Sequence, residues 1–506
     1  MSLPANKSAW PPAQWSPLFD MVTESAAWWQ GDVNALRSQY VGAKLRPSQF
    51  DGGVVGATSR FFWGKPQLGG QAEKRVHAPL AADIAWTSAS LLFDSPPTFT
   101  HDDELVQERL DALIDEGFAA SLLVAGESCS ALGGVYGRIQ WDTSVSSAPW
   151  IEWVDADSAI PEWRHGKLVA VTFVDVLPKL DDGKHVYRLL SRYTVGQIEH
   201  TVFEGEDANL GIAVPLTAHP ATAGLQVHDG NIFRTGIDHM LCTYIPNARP
   251  IVGFRRDGQL RNMGRPDLSP DLYPLLDALD EVWTKLMREI RLGQSRITVP
   301  DYMLSNGKPG QPAVFDVDRE IYDPLHTNPT EGVKPEFHQP ALRVDEHLRT
   351  AEALVREIIG RVNLSPISFG MMDAGSGTVT AREITAKWQA SLQTWRAKSR
   401  YWRAGLVTLV EGLLHADALL RGQTLTLDQR VQVQFAEPVQ ETDLEKAQTI
   451  QALDAARAIS TEEKVTRLHP DWTPDEITEE TGTILSEQGI QPSMPELKLD
   501  EALDDL

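Results

Sequence analysis

Cysteine is nearly absent from this sequence. Its 506 residues contain two cysteines, Cys129 and Cys242, far apart in the chain. Two isolated thiols exclude a disulfide framework and a cysteine-rich zinc site, and they suit a reducing cytosol. The histidines are scattered without the spacing of metal ligands. We therefore expect neither a metal ion nor a cofactor.

Long apolar runs are also missing. Runs such as Ser121–Gly126 are far too short to cross a bilayer. The first fifteen residues lack the basic and then apolar pattern of a secretory signal peptide. The sequence therefore predicts a protein without a membrane partner.

Positive charge is scarce, because 46 Lys and Arg residues stand against 70 Asp and Glu residues and leave a net charge of −24. No Lys/Arg cluster stands out, which argues against a sequence-specific DNA reader. An acidic surface can still face DNA where contact must be weak. Solubility alone is the simpler explanation of the charge.

Catalytic signatures are absent as well. The chain has no GxxxxGK[ST], GxGxxG, HExxH or GxSxG motif. The glycines of Gly375–Thr378 could cradle a phosphate ahead of a helix, but the lysine and preceding strand of a phosphate-binding loop are missing. We therefore predict a protein that is not an enzyme.

One group of residues leaves an enzymatic alternative open. Aromatic and acidic residues alternate on predicted strands, as in a sugar cleft with paired carboxylates: Trp150, Trp153 and Trp163 with Glu152, Asp155, Asp157 and Glu162. Aromatic residues on strands more often fill a core. A carbohydrate-acting enzyme or binder remains the alternative hypothesis.

The hydrophobic content of 42% is sufficient for packed cores. Apolar periodicity predicts helices near 31–40, 81–93, 106–114 and 120–132. From Gly133 to residue 206, short β-branched and aromatic runs between Gly, Asp and Pro predict antiparallel strands. Residues 1–268 are thus expected to be mixed α+β.

The stretch from Ser269 to Leu420 organises the chain. Ser269-Pro270-Asp271 is a helix start, although Pro274 could move it later, and apolar spacing then continues to Gly293. A second helix of similar length follows at Val344–Val362. Residues 297–342 between them are rich in proline and aromatic residues. The pattern predicts an antiparallel stalk with a compact insert at its tip.

A glycine-rich loop and a very long helix follow the stalk. Leu364–Thr378 contains three glycines, and Thr380–Glu383 is a capping box. Apolar spacing then persists to Leu420, which predicts a helix of about 60 Å. Beyond it we expect a strand within Thr424–Glu437, three short helices and a loose acidic tail.

These elements, in this order, resemble the portal proteins (head-to-tail connectors) of long-tailed bacteriophages. The resemblance covers about Ala27 to Gln488, and portals from phages of actinobacteria are similar in three segments: Arg75–Pro97, Ser269–Pro300 and Ser368–Ile384. It implies a homo-oligomeric ring, usually of twelve chains, around a channel at one capsid vertex. Another phage adaptor or a baseplate protein is a further alternative.

The resemblance also implies a division of the chain into the parts of a portal. These are a wing (1–268), a first stem helix (269–296), a clip (297–342), a second stem helix (343–363), a tunnel loop (364–379), a long wing helix and strand (380–436), a crown (437–490) and an acidic tail (491–506). The implied partners are the terminase large subunit, a head-completion or adaptor protein, the major capsid and scaffold proteins, and double-stranded DNA bound without sequence preference. Such a protein is assembled in the host cytoplasm and ends in the virion.

Two groups of residues are expected to face DNA. The first is the tunnel loop, consisting of Phe369, Gly370, Met371, Met372, Asp373, Ala374, Gly375, Ser376, Gly377 and Thr378. The second is a possible channel lining on the first stem helix, consisting of Asp277, Asp280, Glu281, Lys285 and Arg288. The acids would repel the DNA backbone, and the sparse cations would guide it.

Overall fold

A computed structural model of the chain describes residues 3–36, 75–180, 185–225, 227, 231–292, 296–298, 336–338, 342–371, 381–438, 450–468, 472 and 474–487. The chain divides into two compact units, Met1–Ala436 and Glu437–Leu506. The first unit combines helices with antiparallel strands, so the mixed α+β composition predicted from the sequence is confirmed.

Helices precede and follow the β-rich part of the first unit. They are α1 (Ser16–Gln30), α2 (Val33–Leu36), α3 (Leu80–Phe93), α4 (Glu104–Leu113), α5 (Glu116–Leu132), α6 (Tyr273–Leu292), α7 (Val344–Arg361) and α8 (Ala381–Leu420). The second unit contains α9 (Thr461–Leu468) and α10 (Pro474–Glu487). Within the described residues, no helix combines the length and the apolar character that crossing a membrane requires.

The strands are short and pair only in antiparallel fashion. They are β1 (Thr98–Thr100), β2 (Gly134–Gln140), β3 (Trp150–Asp155), β4 (Ala159–Arg164), β5 (Lys167–Val176), β6 (Val186–Thr194), β7 (Gln197–Glu206), β8 (Asn209–Val214), β9 (Ile232–Arg234), β10 (Cys242–Pro246), β11 (Arg296–Thr298), β12 (Glu336–His338) and β13 (Gln432–Gln434). A six-stranded sheet runs β4-β5-β6-β7-β8 with β9 paired to β7, and a three-stranded sheet runs β10-β2-β3. Two further pairs are β1-β13 and β11-β12.

The long helix α8 lies in the middle of the main core. Trp395, Trp402, Leu406 and Leu409 are buried in one apolar cluster with residues of α1, α3, α5 and the three-stranded sheet. Glycine allows a close approach to that sheet, because a Cβ at Gly405 would lie 2.4 Å from Cγ1 of Ile245. The predicted 40-residue helix is thus confirmed, and it holds the first unit together.

A buried ion pair fixes α8 within this core. The ammonium group of Lys398 contacts the carboxylate of Asp267 and the hydroxyl of Ser88. Burial opposes ionisation of Asp267, but Lys398 and hydrogen bonds from Ser130 and Asn247 outweigh it and lower the pKa of that carboxyl. Four separate chain segments therefore meet at one charge.

Some elements differ in extent from what the sequence pattern indicates. Helix α6 begins at Tyr273, which is the later start that Pro274 allowed, because proline is tolerated only in the first turn of a helix. The aromatic run at 150–160 forms β3 and the start of β4, separated by a turn. The predicted strand at Thr424–Glu437 is limited to Gln432–Gln434.

One helix was missed. Helix α1 carries Pro17 in its first turn and ends at Gly31, which adopts the left-handed conformation with φ of 65°. Leu18, Met21, Val22 and Trp28 are buried along its inner side. Their spacing is helical, so the signal was present in the sequence.

We predict that Gly405→Ala lowers the free energy of unfolding by about 1–2 kcal/mol. The added methyl group overlaps Ile245, and overpacking of this kind outweighs the helix propensity that alanine brings. Urea denaturation measures the change. Gly360→Ala in α7 is the matched control, because nothing lies within 4 Å of its added Cβ. A gain of about 0.5–1 kcal/mol is expected there, and an equal gain at Gly405 would contradict the close packing.

Candidate functional site

Helices α6 and α7 form an antiparallel pair. Near the end of α6, the carboxylate of Glu289 accepts a hydrogen bond of 2.9 Å from Nε of Arg343 and lies 3.1 Å from Nε2 of His347, at the start of α7. Beyond these ends, β11 pairs with β12 in antiparallel register. The predicted helical stalk is therefore present, and most of the predicted insert lies outside the described residues.

An apolar seam joins the two helices. Leu272, Leu276 and Leu279 from the first helix and its lead-in share one buried cluster with Ile358 and Ile359 of α7. Residues of α1, α2 and α3 complete the same cluster. The pair is thus anchored at its base to the body of the first unit.

Asp280 is not on an exposed side of this pair. Only 1% of its surface is accessible, and its two carboxylate oxygens face residues 77 and 78. Oδ1 accepts a hydrogen bond of 2.8 Å from the backbone N–H of Ala78, and Oδ2 lies 2.9 Å from Nδ1 of His77. The burial of Asp280 argues against its expected place in a channel lining, because both carboxylate oxygens already have internal partners.

Asp277, like Asp280, is a carboxylate of α6 that contacts residues 75–78. It is buried, and its carboxylate pairs with the guanidinium of Arg75. Thr284, also buried, accepts a hydrogen bond of 3.0 Å from the N–H of Val76. The burial of Asp277 argues against its expected place in a channel lining as well. The contacts of Asp277, Asp280 and Thr284 bind residues 75–78 along α6.

Glu281, Lys285 and Arg288 form the exposed side of α6. Their spacing of four and three residues places them on one side of the helix. The carboxylate of Glu281 lies 2.7 Å from the ammonium of Lys285. On α7, Glu352 pairs with Arg356 at 3.0 Å and Glu357 pairs with Arg361 at 2.8 Å. These exposed charges are thus neutralised within their own helix.

The loop predicted to face DNA is described only at its start. Pro366–Phe369 is a turn of 3₁₀ helix, and Gly370 ends it with φ of 72°. Met372, Asp373, Ala374, Gly375, Ser376, Gly377 and Thr378 lie outside the described residues. Phe369 and Met371 pack partly against the seam of the helix pair. The first side chains of the predicted loop are therefore packed against protein.

Hydrogen bonds hold this turn against α8. The hydroxyl of Ser391 accepts from the N–H of Ser365 at 2.9 Å and lies 2.9 Å from the hydroxyl of Ser368. Asn363 is joined to Thr394 by two further bonds. The loop thus starts from a fixed point on the long helix.

A cavity of about 470 Å³ opens beside the turn. Trp283, Val355, Phe369 and Met371 line it, together with residues of α3. Trp86 at its rim is 52% exposed. The cavity is apolar and contains one carboxylate, Asp83, among its lining residues, so it offers no paired acids for catalysis.

The residues behind the carbohydrate hypothesis have internal partners. Burial would raise the pKa of Glu152, but hydrogen bonds from Arg138 lower it below its usual range. The pKa of Glu162 is lowered in the same way by Arg192. Glycoside hydrolysis needs one carboxyl group that stays protonated. Neither glutamate meets that requirement.

Four further members of that group, Trp150, Trp153, Asp155 and Asp157, lie on β3 or at the turn that follows it. Nε1 of Trp153 donates to the hydroxyl of Ser121 at 3.1 Å, so the indole is part of the fold. Burial and the neighbouring Asp155 raise the pKa of Asp157. The two acids lie at the turn between β3 and β4. Trp150 is half-buried on β3.

A second cavity, of about 560 Å³, lies between the N-terminal segment and strands β4 and β5. Trp163 and Glu162 line it together with Trp10 and Trp15. Glu162 is the single carboxylate among its lining residues. A reaction that requires two carboxylates therefore has no second acid in this cavity.

No group of three or more His, Cys, Asp or Glu side chains within the described residues could hold a metal ion. Both cysteines are free and buried, and burial raises the pKa of each thiol. A high pKa keeps a thiol protonated and unreactive.

A protein-family model matches most of the chain. The family model described as phage portal protein, SPP1 Gp6-like, matches residues 70–488. No curated protein matches. Among solved structures, a chain from the virion of a native gene transfer agent particle is similar at 13% identity and a TM-score of 0.41, covering 85% of this chain and 98% of that one.

We predict that Asp280→Ala lowers the free energy of unfolding by about 1–3 kcal/mol, because it leaves the partly buried N–H of Ala78 without its acceptor. The adjacent Glu281→Ala is the matched control, and loss of its exposed pair should cost about 0.5 kcal/mol or less. Urea denaturation gives both values, and hydrogen exchange at Ala78 should accelerate only in the first variant. Equal, small effects would show that residues 75–78 do not depend on this contact.

Proposed function

Because the chain belongs to the family of SPP1 Gp6-like phage portal proteins, we propose that it forms a ring-shaped channel at one vertex of a capsid. Double-stranded DNA would be packaged and later ejected through this channel, and the ring would join head to tail. The family match over residues 70–488 is the observation that carries the proposal. The absence of paired catalytic acids in the described cavities agrees with a structural role.

The antiparallel helix pair supports the assignment of a stem. In this proposal α6 and α7 are the two stem helices, residues 297–342 the clip, and residues 364–379 the tunnel loop. Residues 1–268 and 380–436 form the wing, and residues 437–490 form the crown. Assembly partners are the terminase large subunit, a head-completion or adaptor protein, and the capsid and scaffold proteins.

Exposed apolar side chains on the helix pair support assembly of the chain with itself. Met287 and Ile290 on α6 and Leu348 on α7 are each more than a third exposed. A helix in a monomer normally turns such residues inward. In a ring of tilted stems they would be covered by the neighbouring chains.

Charge on the outside of the stem suits a channel through which DNA must slide. A lining rich in unpaired lysine and arginine would bind phosphates and hold the DNA. Glu281 and Lys285 neutralise each other, and Arg288 follows on the same side of α6. These three residues remain the proposed lining, whereas Asp277 and Asp280 are withdrawn from it.

The first test is the size of the assembly. We expect light scattering to report about twelve chains of 56.0 kDa each, or about 670 kDa, closed by heterologous contacts. Negative-stain images should show a ring with a central hole. A chain that stays monomeric at high concentration, alone and with capsid partners, would contradict the proposal.

The second test removes part of the predicted tunnel loop. Deleting Met372–Gly377 should leave the ring intact, because Met371 and the turn before it keep their contacts with the helix pair. DNA packaging or retention should fall, which a nuclease-protection assay on assembled particles measures. Replacing the same residues by a Gly/Ser linker of equal length is the control for loop length. Loss of the ring in the deletion variant would show that the loop is structural instead.

A further inference from the structure

A stretch rich in arginine follows β10. Residues 252–265 read VGFRRDGQLRNMGR, so they contain four arginines and one acid in a chain whose net charge is −24. Arg255, Arg256, Arg261 and Arg265 are all exposed. We name residues 252–265 the arginine loop. This run of arginines is an exception to the expectation that no Lys/Arg cluster stands out in the sequence.

The arginines of this loop have no internal partners. Within the described part of the chain, no ion pair or hydrogen bond involves any of their four side chains. Gly253 and Gly258 have nothing within 4 Å of an added Cβ. Val252 at the start of the loop is 62% exposed. The loop therefore presents four available guanidinium groups and one apolar side chain to its surroundings.

Helix α4 has the opposite character. Its exposed side carries Glu104, Glu108 and Asp111, whose spacing of four and three residues places them in one row. Asp102 and Asp103 precede the row and are also exposed. We name these five residues the acidic ridge. None of them forms an ion pair in the described structure, and Leu105 beside the row is 79% exposed.

The arginine loop is attached to the three-stranded sheet, because the N–H of Gly264 donates a hydrogen bond of 2.9 Å to the hydroxyl of Tyr244 in β10. The neighbouring residue of β10, Ile245, packs against Gly405 of α8. Arg249, at the entrance to the loop, stacks over the ring of Trp163 at 5.4 Å. The loop is thus carried by the sheet on this side of the long helix.

The acidic ridge is attached to the other side of α8. Arg109 of α4 donates a hydrogen bond of 2.7 Å to Asp417, and Nε of Arg403 donates one of 3.0 Å to the carbonyl of Val433 in β13. Strand β13 pairs with β1, which leads into α4. Arg403 and Gly405 point about 200° apart on a helix of 3.6 residues per turn. The loop and the ridge are therefore carried on roughly opposite sides of one rigid helix.

We propose that the arginine loop of one chain docks on the acidic ridge of the next chain in the ring. The inference rests on the proposed ring, since a heterologous ring needs two different, complementary patches on opposite sides of each subunit. Chains with a net charge of −24 repel one another, so local pairs of opposite charge must oppose that repulsion at the contact. Val252 and Leu105 would supply the apolar centre inside a charged rim.

A second copy of the chain fits the loop better than DNA does. Phosphate groups could form ion pairs with the arginines, but the DNA backbone offers no apolar partner for Val252. The acidic ridge offers both the carboxylates and Leu105. Charged contacts of this kind are screened within about 8–10 Å at moderate ionic strength, so salt should weaken the assembly.

Charge reversal tests the pairing directly. The loop-reversed variant carries Arg255→Glu, Arg256→Glu and Arg261→Glu. The ridge-reversed variant carries Glu104→Arg, Glu108→Arg and Asp111→Arg. In a ring of either variant alone, like charges meet at every contact. The ring fraction in size-exclusion chromatography with light scattering should therefore fall by about tenfold or more.

An equimolar mixture of the two variants should restore rings. The reversed loop then meets a reversed ridge at one contact, and the two native patches meet at the next, so the variants alternate around an even-numbered ring. A misfolded variant could not be rescued in this way. The matched control for the loop-reversed variant carries the same change of charge at exposed cations elsewhere: Lys7→Glu, Lys179→Glu and Arg234→Glu. This control should assemble like the unsubstituted chain.

The outcomes separate this inference from the proposed function. If the unsubstituted chain forms no ring under any condition, the proposed function fails first. If it forms rings and the loop-reversed variant does so equally well, the loop is not a subunit contact. If that variant assembles normally but loses retention of DNA, the loop binds DNA instead. If each variant fails alone and mixing does not rescue them, the two patches are not partners.

Discussion

The structure depends on one constraint, which is that the ammonium group of Lys398 must be satisfied inside the core. An unpaired buried charge costs several kcal/mol, whereas a paired one with good hydrogen bonds is tolerated. Asp267 and Ser88 supply the partners, and Asp267 is held in turn by Ser130 and Asn247. This cluster fixes the rotation of α8 about its axis. Gly405 is then turned to β10 and Arg403 to β13.

The same physical principle decides what the helix pair can do. Asp277 and Asp280 look in the sequence like the solvated side of an amphipathic helix, as Glu281 does. In the structure the two aspartates contact residues 75–78 and are buried, whereas Glu281 is exposed and pairs with Lys285. A buried carboxylate with two donors is part of the scaffold. The charges available for any function of α6 are therefore those that remain exposed.

Local signals predicted the local structure well. Capping residues and apolar spacing located α3, α4, α7 and the end of α8 within a few residues, because these signals depend on neighbours in the sequence. The partners of Asp277 and Asp280 lie about 200 residues upstream. No periodicity within α6 encodes that distance, although Asp277, Asp280 and Thr284 do share one side of the helix. Burial of charged residues was thus the main feature that the sequence could not reveal.

Net charge alone describes this protein poorly, because the position of each charge matters more than the sum. A channel for DNA and a ring of subunits impose opposite demands. The channel lining must not bind DNA strongly, whereas each subunit must bind its neighbours strongly. On α6 and α7 several exposed charges form pairs within one helix, as in Glu281–Lys285 and Glu352–Arg356. Such pairs leave little field for a passing phosphate. In the proposed wing, arginines and acids are instead segregated on opposite sides of α8, where a neighbouring chain can complete them. In the proposed ring, the exposed charges of the α6–α7 pair would therefore bind DNA only weakly, whereas the arginine loop and the acidic ridge would bind each other between neighbouring chains.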